Sequence, residues 1–92
     1  MIVLITLEPN PPRAIPKFVE ALEAKSEFWH LLMRNVWVAY PNTSVEGLYS
    51  ELKRSIGRSD KIFLSRMNME HAGWIEGEAV EWLTRAAQFG YF

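Results

Sequence analysis

The sequence predicts an α+β fold built on one small antiparallel sheet, and three observations carry that expectation. Short apolar runs with strand character alternate along the chain with stretches that carry a helical stripe. Proline, glycine and polar clusters punctuate the joins. The run Phe28–Trp29–His30–Leu31–Leu32–Met33 breaks at Arg34–Asn35 and resumes as Val36–Trp37–Val38–Ala39–Tyr40, which reads as a hairpin. Its strands are apolar on both faces, and such strands need cover on both faces.

Each element has its own justification. Met1–Glu8 reads as a central strand, with Ile2, Leu4 and Thr6 facing one way and Val3, Ile5 and Leu7 the other. Pro9–Asn10–Pro11–Pro12 stops it, because proline lacks the ladder donor and restricts the residue before it. Ile15, Phe18, Val19 and Leu22 form one helical stripe, with Pro16 in the first turn and an end near Lys25. The hairpin follows, with strands near 27–33 and 35–40, closed by Pro41–Asn42.

Thr43–Ser44–Val45–Glu46 matches a capping box opening a second helix, striped by Val45, Leu48, Tyr49, Leu52 and Ile56. Gly57 is expected as its C′ residue, and Gly47 as a mild weakness inside it. Lys61–Met67 reads as a fourth strand. Glu76 to Gln88 is a third helix, with Val80, Leu83 and Ala87 as its stripe, Trp82 beside them, and acidic residues at its start. The order β–α–β–β–α–β, with an added C-terminal helix, is that of a ferredoxin-like domain, in which both crossovers place their helices on one sheet face. Residues 1–92 form a single such domain.

A chain of 92 residues buries only about 60–65% of its unfolded surface. It is therefore expected to seal the second sheet face with another copy, as a homodimer or higher assembly through that face. Four Trp, five Phe and three Tyr supply large buried areas for a core or an interface. The absence of Cys rules out a disulfide frame and a thiolate site and suits the cytoplasm. The apolar start, Met1–Ile5, is too short for a signal segment or a membrane span.

Net charge is −1, yet residues 34–66 hold six basic side chains against three acids. Lys53, Arg54, Arg58, Lys61 and Arg66, on the second helix, its exit loop and the fourth strand, are the candidate ligand-binding set, because phosphate binding is largely electrostatic. Trp29, Trp37, Trp74 and Trp82 are assigned to packing, with Trp74 aimed at a neighbouring subunit. Glu8 at the first strand's end, His30 on an apolar strand face and Asp60 are the alternative catalytic set, and Glu8 the alternative metal ligand. The two His are not at metal-ligand spacing and no glycine-rich phosphate loop occurs, so no cofactor is expected.

Leu4–Ile5–Thr6–Leu7, the proline-broken loop, Trp29–His30, Val36–Trp37–Val38, Ser59–Asp60–Lys61–Ile62–Phe63–Leu64, Gly73–Trp74 and Trp82–Leu83 together resemble the small bacterial and phage proteins labelled SinR-like. Those are similar to the small dimeric CRISPR-associated protein of spacer acquisition and to virulence-associated protein D. The resemblance implies a homodimer of ferredoxin-like subunits and, in some members, phosphodiester handling at a carboxylate supplied by both subunits. Here Glu8 falls late for that carboxylate and is not Asp. The expectation is a non-enzymatic small binding protein for a nucleic acid, a nucleotide or a protein partner, in a phage or mobile-element counter-defence or regulatory setting. The alternative is a metal-dependent endonuclease with paired carboxylates at the dimer interface.

Overall fold

The computed structural model describes all residues, Met1–Phe92. The elements are β1 (Ile2–Glu8), α1 (Pro16–Ala24), β2 (Ser26–Met33), β3 (Val36–Pro41), α2 (Val45–Lys53), β4 (Lys61–Met67) and α3 (Gly77–Gln88). The strands form one antiparallel sheet in the order β2-β3-β1-β4, so β2 and β4 are its edges. No helix is long and apolar enough to cross a membrane.

Strand alternation builds a core on each face. Val3, Ile5 and Leu7 of β1 and Trp37 and Ala39 of β3 pack under Phe18 and Leu22 of α1 and Leu48 and Leu52 of α2. The Phe18 and Trp37 rings meet at 5.1 Å, a tilted aromatic contact at the centre of this face. The opposite residues, Ile2 and Val38, pack with Leu32 under Ala79, Leu83 and Ala86 of α3. The chain thus supplies a cover of its own over the part of the reverse face that holds Ile2, Leu32 and Val38.

Several local details differ from expectation. The α3 stripe is Ala79, Leu83 and Ala86, whereas Val80 is 46% exposed. Small alanines let the helix lie close to the sheet, and that rotates the buried face by one residue. The α2 N-cap is Ser44, not Thr43; its Oγ accepts from the Gly47 N–H at 3.0 Å, so Glu46 falls outside a capping box. A Cβ at Gly47 would require the Thr43 hydroxyl to move. Gly57 is not a C′ residue either, since α2 ends at Lys53 with Arg54 as C-cap. Its N–H instead donates to Asp60 Oδ2 at 2.7 Å.

The hairpin turn carries Asn35 at φ 58°, a left-handed conformation that asparagine tolerates. The Asn35 carbonyl accepts from the Leu7 N–H at 3.0 Å, which locks the turn against the end of β1.

Truncating the centre of the first core should cost most. Phe18→Ala is expected to lower the unfolding free energy by about 3–5 kcal/mol in urea titrations, with an unchanged m-value.

Candidate functional site: a polar-rimmed groove on the open end of the sheet

α3 leaves one end of the reverse face uncovered. There the registers Thr6↔Val36 and Thr6↔Phe63 set Val36, Thr6 and Phe63 side by side across three strands. Thr6 Oγ1 donates to the Phe63 carbonyl at 3.1 Å. Phe63 is 69% exposed, although a large ring on a strand normally seeks cover. Around this floor stand Glu8 at the end of β1, Pro9 and Pro12 after it, Arg34 and Asn35 of the hairpin turn, and Lys61 of β4. The groove measures about 530 Å³ and opens widely to solvent.

The rim is mixed in charge. Glu8 and Lys61 are register partners, and their charged ends lie 3.9 Å apart with both side chains mostly exposed. An exposed pair of this kind is screened and held weakly, so an incoming anion competes for the lysine at little cost. Arg34 has no carboxylate partner in the chain.

The sequence-derived basic set does not form one site. Only Lys61 lines the groove. Lys53 ends α2, and Arg54 pairs with Glu51 at 3.3 Å. Arg58 is exposed in the loop that follows. Arg66 is five residues along β4 from Lys61, roughly 16 Å away and on the opposite strand face. Its guanidinium donates to the Phe92 carbonyl at 3.4 Å. Arg34 and Phe63 were the residues that sequence reasoning missed. The one available signal was Phe63 on the face that Thr6 and Ser65 make polar.

The three alternative catalytic residues are separated by their surroundings. Glu8 stands in the groove with Lys61. His30 stacks on Trp82 of α3, ring centroids 6.3 Å apart. Asp60 is almost fully buried and its oxygens are occupied by four donors. Arg13 gives two hydrogen bonds, at 2.8 and 2.6 Å, the Asn10 N–H a third at 2.8 Å and the Gly57 N–H a fourth at 2.7 Å. The Arg13 guanidinium first, then the Asn10 and Gly57 amides, hold this carboxyl well below the usual carboxylate range. Asp60 is thus an anchor that ties the loop after β1 to the loop after α2. No group of three or more His, Asp or Glu side chains converges to hold a metal ion.

The four tryptophans divide. Trp37 is buried, Trp29 packs at the edge of the first core and Trp82 at the edge of the second. Trp74 touches neither core and is fully exposed. No protein-family model and no curated protein matches the chain.

The Asp60 anchor predicts a pH signature. Its pKa is lower folded than unfolded, so the unfolded chain binds the extra proton as acid is added. The contribution is complete above about pH 5 and is lost as the pH falls through about 4 towards the folded value. Asp60→Asn should lower Tm at neutral pH by roughly 5 °C or more and flatten the acid limb of a Tm-against-pH curve.

Proposed function

We propose that the chain is a non-enzymatic binding protein that holds single-stranded nucleic acid in the groove around Phe63. The observation that carries this reading is the exposed Phe63 ring on an open sheet surface, flanked by the Lys61 and Arg34 cations. An aromatic face accepts any base by stacking, while cations beside it take the backbone phosphates. Single strands suit the site better than a duplex, because a stacked base must first leave its pair.

Two further points support the reading. The chain order, the strand order β2-β3-β1-β4 and the seating of α1 and α2 on one face favour a ferredoxin-like domain with an added helix. Open sheets of that architecture serve elsewhere as base-stacking platforms. The resemblance to SinR-like proteins suggests a phage or mobile-element setting, with a counter-defence or regulatory role. Fold-level likeness does not choose the ligand; Phe63 and its cations do.

The endonuclease alternative finds less support. Glu8 has a lysine as its near neighbour and no second carboxylate beside it, and Asp60 is committed to Arg13.

Filter retention of labelled single-stranded RNA and DNA tests the proposal. Retention should fall with salt, weaken by about tenfold or more in Phe63→Ala, and lose part of its salt slope in Lys61→Glu. Lys53→Glu/Arg54→Glu should leave it near wild type. Retention that ignores Phe63 and Lys61, or magnesium-dependent cleavage abolished by Glu8→Ala, would overturn the reading.

A further inference from the structure

The sheet has two edges, and they are built differently. β4 carries Lys61 and Arg66, the charged residues by which natural edge strands resist pairing with other chains. β2 carries neither lysine nor proline between Ser26 and Met33. Along it Phe28, Leu31 and Met33 are 46%, 48% and 51% exposed. The regular run Phe28–Leu31 of this edge is open to pairing with another strand.

The ends of β2 say which strand it fits. Glu27 near one end and Arg34 just beyond the other are both exposed, and neither has an ionic partner within the chain. An antiparallel pairing of β2 with itself brings each Glu27 towards the Arg34 of the other copy, twice by symmetry. A parallel pairing would set like charges together.

The register agrees. Phe28 to Leu31 pair regularly with Tyr40 to Trp37, and an irregularity flanks this run on each side. The second restores Met33, opposite Val36, to the face that Phe28 shares with Tyr40. A two-fold axis at His30 therefore sets Trp29 of one copy against Leu31 of the other. It also sets Phe28 against Leu32 and Met33, which the irregularity places at one position of the ladder. These are cross-strand apolar pairs of the kind that stabilise antiparallel sheets.

We propose that β2 is the self-association edge: two copies join antiparallel along β2 about a two-fold axis at His30, making one eight-stranded sheet from two four-stranded halves. The second copy is thus placed beside the sheet rather than over its face, where α3 already packs on Ile2, Leu32 and Val38. The proposal does not depend on nucleic-acid binding. Arg34 stands at the corner shared by the edge and the groove, so the readout is mass, measured without nucleic acid.

Sedimentation equilibrium over a micromolar to millimolar range tests it. The wild-type chain should dimerise, and Glu27→Arg or Arg34→Glu alone should weaken the dimer by about tenfold. The combined charge swap should restore most of that loss, as coupling between the two positions requires. Leu31→Lys, a surface change that leaves circular dichroism unaltered, should leave a monomer. A wild-type chain monomeric throughout, a dimer indifferent to these substitutions, or a charge swap as weak as its single variants would each overturn the proposal.

Discussion

A sheet that is apolar on both faces must be covered twice, and the architecture follows from how 92 residues meet that demand. α1 and α2 take one face, where Phe18, Leu22, Leu48 and Leu52 close over β1 and β3. α3 takes part of the other with a stripe of small residues, Ala79 and Ala86 around Leu83. α3 lies over the part of that face where Ile2, Leu32 and Val38 close under it. The strip around Thr6 and Phe63 is what it leaves, and the candidate groove is that strip.

The Asp60 anchor works at the same end of the molecule. It joins Asn10 and Arg13, which follow β1, to Gly57, which follows α2. A carboxylate with four charge-assisted or backbone donors fixes these two irregular loops to each other. Pro9 and Pro12, which wall the groove, belong to the first of these loops. The hairpin turn on the other side is held by the Leu7–Asn35 hydrogen bond. The groove is therefore framed by anchored backbone, with exposed charged side chains on its rim.

Much of this architecture was legible in the sequence, because alternation and helical stripes report burial directly. Both faces of β1, the hairpin, the span of β4 and the Phe18–Leu22 stripe follow from residue spacing alone. Details that depend on partners far along the chain did not. Nothing near Asp60 announces Arg13, 47 residues away, so Asp60 stood only in the alternative catalytic set. The α3 stripe was misplaced by one residue because Val80 outweighs Ala79 in any hydrophobic pattern, while close packing against the sheet favours the alanine. The basic residues looked like one set because they are near in sequence. Strand geometry turns Lys61 and Arg66 to opposite faces and leaves only the lysine in the groove.

α3 is an integral cover of the reverse face and not a loose appendage. Native-state hydrogen exchange of the full chain tests it most directly. If α3 seals Ile2, Leu32 and Val38, the amides of its middle turns should open only with those of β3, with the same free energy and the same denaturant dependence. Exchange of the α3 amides through fast local opening, while β3 stays protected to the global limit, would show α3 to be an appendage.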